Sequence, residues 1–253
     1  MKSDTTPFFI TDLLIAGSLL TRLPLPHLPP DAFDNAARAV WAYPIAGAVL
    51  GAIAAVSGAI AYAAGLPVFI AAGLVVTVLT ICSGAIHEDG LADTADGFWG
   101  AHTAPDRLAI MKDSHIGTYG TLALILGTGL RWMGYAALLP FGALTVIAVA
   151  ALSRGTMTVL MIAMPNARDY GLSHSVGRPG APAVAAAVTI ALGIGLVCLG
   201  LGVAVALLGA AAAAVGMGLL AMRKISGQTG DVLGATQQIS EIAILFGLVI
   251  YLN

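Results

Sequence analysis

The chain has 253 residues, of which 58% are hydrophobic and 9% charged, with a formal net charge of −2. Soluble domains are roughly half apolar and about a quarter charged, so this composition and a mean hydropathy of +0.94 exclude an ordinary soluble domain. They also give no basis for a nucleic-acid partner; they describe a polytopic membrane protein, embedded in lipid, read as one integral-membrane domain over residues 1–253.

Each spanning helix needs roughly 20 apolar residues, because lipid offers no partner to an unpaired backbone amide. Residues 1–42 do not meet that measure. Lys2 followed by Phe8 to Leu20 resembles a signal peptide, but Asp12 interrupts the apolar run and no small-x-small cleavage site follows. The segment reads as an interfacial helix ended by the prolines at 24, 26, 29 and 30; a short extra span is the competing reading.

Tyr43 to Ala85 carries no charge and is broken at Gly65, Leu66 and Pro67, which predicts two spans and a tight turn. Thr118 to Met164 repeats the arrangement around Pro140, and Ala181 to Met222 repeats it around Gly200 and Gly202. Val232 to Leu252 is long enough for a seventh span, tilted or partly interfacial because Gln237, Gln238 and Glu241 lie near its start. The expected fold is an all-α membrane bundle of about six to seven helices, arranged as hairpins. Cys82 and Cys198 fall inside spans and read as packing residues.

The basic residues Lys2, Arg22, Arg38, Arg107, Lys112, Arg168, Arg178, Arg223 and Lys224 all precede the first hairpin or lie between hairpins. Those segments share one face, which the positive-inside rule makes cytoplasmic. All five histidines and every acid except Glu241 fall in the same segments. Chemistry is therefore expected on the cytoplasmic face.

Residues 86–117, the expected catalytic loop, begin IHEDGLADTADGF, with His87, Glu88, Asp89, Asp93 and Asp96 inside ten positions. If this stretch is a helix continuing the second span, Asp89, Asp93 and Asp96 stand at i, i+4 and i+7 on one face. Three carboxylates so placed repel one another unless a cation lies between them. Hard oxygen ligands without cysteine select Mg²⁺, Mn²⁺ or Ca²⁺, and Mg²⁺ keeps positions open for substrate phosphates. The plainer reading is a solvated acidic loop. Further along, Arg107 and Lys112 supply cations for phosphate oxygens, and Asp113, Ser114 and His115 add an acceptor, a hydroxyl and a titratable ring.

Pro165 to Gly180, with Asn166, Arg168 and Arg178, either closes over an anionic ligand or merely connects two hairpins. Residues 223–241 read as a glycine-rich loop in which Gln228, Thr229 and Asp231 can meet a phosphate–metal unit. It lacks the Gly-Lys-Ser/Thr ending of a P-loop. Two arginines fall inside apolar runs, each costing roughly 2.5–3.5 kcal/mol on insertion scales. Arg154, between Ser153 and Gly155, reads as a substrate-phosphate contact, and Arg131 as a structural residue reaching for the surface.

HEDGLADTADGF at 87–98, IMKDSHIGTYG at 110–120 and GQTGDVLGA at 227–235 resemble the three signature blocks of the cobalamin synthase (adenosylcobinamide-GDP ribazoletransferase) family. TRLPLP at 21–26 and SRG at 153–155 are similar to it as well. The resemblance covers nearly the whole chain, with no departure at the acidic positions. It implies a Mg²⁺-dependent transfer of the cobinamide phosphate of adenosylcobinamide-GDP to α-ribazole or its 5′-phosphate, releasing GMP. It further implies metal binding by Asp89, Asp93 and Asp96, with Glu88 and Asp231 as additional ligands. Arg107, Lys112 and either Arg154 or Arg168 would hold the remaining phosphate oxygens, and His87 or Asp96 would act as base. A homo-oligomer, or association with other corrinoid enzymes, stays open.

Two other readings stand beside it. The D-G-L-A run is similar to the acidic motif of CDP-alcohol phosphotransferases, although that motif continues with Arg where this chain has Asp93. A transporter or cation channel would place its acids near the bilayer midplane, whereas these fall in cytoplasmic segments.

Overall fold

The computed structural model describes residues 8–252; Lys2, counted above for topology, lies outside the described residues. Its helices are α1 (Phe8–Leu20), α2 (Tyr43–Ala63), α3 (Val68–Ser83), α4 (Ile86–Gly100), α5 (Ala104–Ile110), α6 (Thr118–Leu138), α7 (Leu144–Ala163), α8 (Leu172–Val176), α9 (Ala181–Leu199), α10 (Val203–Ile225) and α11 (Gly230–Leu252), with a 3₁₀ segment at Pro30–Ala42. The described residues contain no strand.

Five stretches are long and apolar enough to cross a bilayer, and six if the bent pair α3–α4 counts as one. One of the five, Ala181–Ile225, passes through a turn at Gly200–Gly202, where Gly200 takes φ +55°. It therefore contains two helices, α9 and α10. Separating them makes six, with the bent pair a seventh, in line with the hairpin reading.

Apolar helices gain little from burying grease against grease in lipid, so close backbone approach must hold them together. α7 shows this best: it is enclosed by α2, α9, α10 and α11. A Cβ at Gly47 of α2 would stand 2.3 Å from the Ala150 carbonyl oxygen, and one at Gly51 would stand 2.8 Å from the Ile147 Cα. Only glycine, repeated one helical turn apart, permits that crossing.

Four expectations change. The acidic helix does not continue α3: Gly84 (φ +66°) and Ala85 (φ +57°) break the chain, and α4 leaves at 88° to α3. α3 has 16 residues and rises only about 24 Å; the 88° bend then turns α4 across the bundle, over the start of α11. The expected catalytic loop is mostly helical, as α4 and α5. The expected glycine-rich loop shrinks to residues 226–229, because Gly230 already begins α11. Finally, α11 is not partly interfacial: Gln237, Gln238 and Glu241 are buried inside the bundle.

The N-terminal helix α1 rises only about 20 Å, too short to span. Asp12, the residue that interrupts its apolar run, is buried and accepts hydrogen bonds from Arg38 Nη2 (2.8 Å) and Trp41 Nε1 (2.9 Å). Paired in this way, it fastens α1 to the 3₁₀ segment.

The polar segments meet at one end of the bundle. Lys224 Nζ at the end of α10 donates to the Phe98 carbonyl of α4 (2.9 Å), and Arg107 Nη1 of α5 donates to the Lys224 carbonyl (2.9 Å).

Candidate active site

The site is built where α4 crosses the start of α11. A Cβ at Gly90 would lie 2.7 Å from the Asp231 carbonyl oxygen, and one at Gly234 would lie 3.3 Å from the His87 Cα. The two glycines let the helices touch backbone to backbone. That contact brings Asp231 from the far end of the sequence against the acidic face of α4. Thr229 accepts from the Val232 N–H (3.2 Å), capping α11, and donates to Asp231 Oδ2 (3.2 Å).

The acids divide by what holds them. Glu88 accepts through Oε1 from Arg131 Nη1 (2.7 Å), Thr80 Oγ1 (3.1 Å) and Gln238 Nε2 (3.3 Å), while its Oε2 is buried without a partner. Asp96 accepts from the backbone N–H groups of Gly117 (2.7 Å) and Gly120 (2.8 Å), one on each oxygen. Both anchor α4 to its neighbours. Asp89 and Asp93 engage no side-chain partner among the described residues. Burial, followed by the charges of Asp89 and Asp231, pushes the Asp93 carboxyl from 3.8 up to about 7, while Lys112 opposes that rise. A proton there relieves like-charge crowding, and so would a cation.

Among the described residues, no three His, Cys, Asp or Glu side chains are grouped closely enough to hold a metal ion by themselves. What α4 and α11 present is a set of unspent oxygens at Asp89 and Asp93, beside an Asp231 that pairs with Arg168 Nη2 (2.9 Å).

Two cavities flank this set. One, of about 130 Å³, is lined at its polar end by His87, Asp89, Lys112, Arg168, Ser173 and Asp231. The other, an open groove of about 400 Å³, is lined by Glu88, Asp89, Asp93, Lys112, Asp113, Ser114 and His115. Asp89 and Lys112 face both. In the groove, His115 and Asp113 lie 2.6 Å apart through Nδ1 and Oδ1, which lowers the Asp113 carboxyl and raises the His115 ring.

The remaining expected residues separate. Arg107 is bonded to the carbonyls of Ala101 (3.1 Å) and Lys224 (2.9 Å) and lines neither cavity. Arg154 is buried with Nη1 on the Ala150 carbonyl (3.0 Å) and also lines neither. Gln228 is buried, bonded to Ser173 Oγ (2.7 Å) and to Asn166, and so ties 165–180 to the turn before α11.

Arg131 does not reach for the surface. It is 1% exposed, paired with Glu88 (2.7 Å) and Glu241 (2.8 Å), and bonded to Gln238 (3.0 Å). Tyr135 OH (2.8 Å) and Gln237 Nε2 (2.6 Å) complete the shell around Glu241. Opposite charges in two apolar runs were the signal for this pair, since an intramembrane ion survives only with a partner. Ser173 and the apolar walls of the smaller cavity gave no signal, because serine and methionine are ordinary anywhere.

Residues 12–249 match the family described as cobalamin-5-phosphate synthase. The chain belongs to that family. It is 42% identical over 246 residues to a protein of Bradyrhizobium diazoefficiens named adenosylcobinamide-GDP ribazoletransferase, covering 96% of this chain and 95% of that protein. A Brucella anthropi protein of the same name is 41% identical over 258 residues, covering 96% and 98%. No solved structure matches the chain.

Proposed function

We propose that this family member transfers the cobinamide phosphate of adenosylcobinamide-GDP to a hydroxyl of α-ribazole or its 5′-phosphate, forming the cobalamin product and releasing GMP. The observation that carries the reading is the crossing of α4 and α11, which sets Asp89, Asp93 and Asp231 beside Lys112 and Arg168 between two cavities.

Asp89, Asp93 and Asp231 are the residues that would hold Mg²⁺, and their chemistry fits it: hard carboxylate oxygens from two crossing helices, with Asp89 and Asp93 free of hydrogen-bonded side chains. When bound, Mg²⁺ offsets the charge of the diphosphate as GMP departs. Asp96, bonded through both oxygens, and Glu88, bonded through Oε1, hold α4 in place. Lys112 and Arg168 neutralise phosphate oxygens, and Asp113 and Ser114 line the groove on the diphosphate side. His87 is buried with both ring nitrogens unpartnered, so a neutral ring there is free to accept the proton of the attacking hydroxyl, although burial and the nearby Arg154 charge weaken it as a base. Thr229 orients Asp231. Arg107, Arg154 and Gln228 act through the frame around the site. The basic segments at this end of the bundle support a cytoplasmic active site in a bacterial inner membrane.

The test is GMP release by detergent-purified protein from adenosylcobinamide-GDP, with and without α-ribazole and Mg²⁺, beside Asp93→Asn. Release that requires all three, with Asp93→Asn reduced at least about a hundredfold, is the expected result. Folded protein that releases nothing, or that releases CMP from a CDP-alcohol instead, would overturn it.

A further inference from the structure

The smaller cavity has two chemically different ends. Its polar end meets the acids, but its other walls include Leu19 and Leu20 of α1, Tyr43 of α2, Met157 and Met161 of α7, and Leu172 and Val176 of α8. Met157 and Met161 are one helical turn apart and both buried, as are Leu20 and Val176. The apolar end thus belongs to the bundle core and is roofed by the short helix of the 165–180 segment.

Two unsatisfied groups in the lining point to a ligand. His87 is 1% exposed, yet neither ring nitrogen has a partner. Arg168 Nη1 is likewise buried and unpartnered. Leaving such groups dry costs roughly 1–3 kcal/mol each, a cost that a bound polar molecule removes.

Size decides which substrate this is. A drug-sized ligand needs about 300–1,000 Å³, so a cavity of about 130 Å³ cannot take a corrinoid nucleotide. An apolar cavity of about 150 Å³ does take a single aromatic ring. The groove on the far side of Asp89 and Lys112, of about 400 Å³ and open to one side, falls within that range.

We infer that the apolar end of this cavity, walled by Met157, Met161, Leu20 and Val176, is the pocket for the planar aromatic base of the acceptor nucleoside. The inference rests on the function proposed above and adds to it a division of labour: the acceptor enters the smaller cavity base first, and the corrinoid nucleotide occupies the groove. The ribose then lies toward His87, and the donor phosphate toward Asp89 and Lys112. Methionines suit the role, because a thioether packs against an aromatic edge and adapts to its outline. A purine, with more ring nitrogens to satisfy, would find one hydroxyl, that of Tyr43, among otherwise aliphatic and thioether walls.

The experiment is calorimetric titration of the detergent-purified full chain with a benzimidazole nucleoside, with adenosine, and with GDP plus Mg²⁺, for wild type, Met161→Trp and Met161→Ala. The expected result is that wild type prefers the benzimidazole nucleoside to adenosine. Met161→Trp, which fills the cavity, should weaken that nucleoside about 10–200-fold and leave GDP–Mg²⁺ within about twofold. Met161→Ala should shift preference toward a bulkier tricyclic base. Unchanged nucleoside affinity in Met161→Trp, adenosine binding equal to benzimidazole, or parallel loss of both ligands in folded protein would each overturn the assignment. If Met161→Trp fails to fold, the base-size preference of Met161→Ala decides. Nucleoside binding by wild type without GMP release would sink the proposed reaction and leave the pocket standing.

Discussion

Asp93 concentrates the chemistry of the site in one proton. Its carboxyl is pushed up to about 7 by burial and by neighbouring carboxylates, so near neutral pH a cation must displace a proton to bind. Apparent Mg²⁺ affinity, measured by titration, should therefore fall about tenfold per pH unit below about 7 and level off above it. The stability of the metal-free protein runs the other way. The folded chain holds this proton to a higher pH than the unfolded chain, so the contribution is complete below 3.8 and lost as pH rises through about 7. Thermal melts in detergent should show Mg²⁺ stabilising more at about pH 8 than at about pH 5.5. Asp89, Asp93 and Asp96 share a face by helical period alone, which the sequence displays. That Asp96 is spent on two backbone N–H groups is invisible there, because its partners arrive from a segment more than twenty residues away.

The acidic helix works only while α4, α6 and α11 stay registered. Arg131 of α6 bridges Glu88 of α4 and Glu241 of α11 in a fully buried network. Removing the cation leaves two buried carboxylates without compensation, so Arg131→Met should lower stability by about 3–5 kcal/mol, read as a drop in Tm in detergent. Gly90→Ala is a different perturbation. Its Cβ would meet the backbone of Asp231 at 2.7 Å, so α11 must withdraw and take Asp231 with it. Mg²⁺ affinity should drop at least about tenfold while Tm falls modestly, since a shift of about 1 Å at a catalytic centre costs on the order of 100-fold in rate. Helix α11 was legible as an apolar run, but its depth was misjudged because Gln237, Gln238 and Glu241 read as wet when they are in fact paired inside the bundle.

All the polar segments gather at one end of the bundle, and the hairpin turns without ionisable side chains lie at the other ends of the same helices. If the basic end faces the cytoplasm, a Ser114→Cys variant in a background lacking Cys82 and Cys198 should react with a membrane-impermeant thiol reagent in inside-out vesicles and not in intact cells. A cysteine at Gly142, in the turn between α6 and α7, should show the reverse. Labelling in the opposite pattern would invert the topology.

Composition, hydropathy and the spacing of charges were enough to establish a membrane bundle of helical hairpins, its polar end and the acidic face of α4. These are local or additive properties: apolar length sets a span, and a period of 3.6 sets a face. The tertiary structure alone decided which acids are spent, that α4 turns 88° across the bundle, and that Asp231 closes on it through Gly90 and Gly234. It also decided that two methionines wall a cavity beside His87. Each of these depends on contacts between residues distant in the chain, and a side chain's role follows from the partner it meets, which no local pattern records.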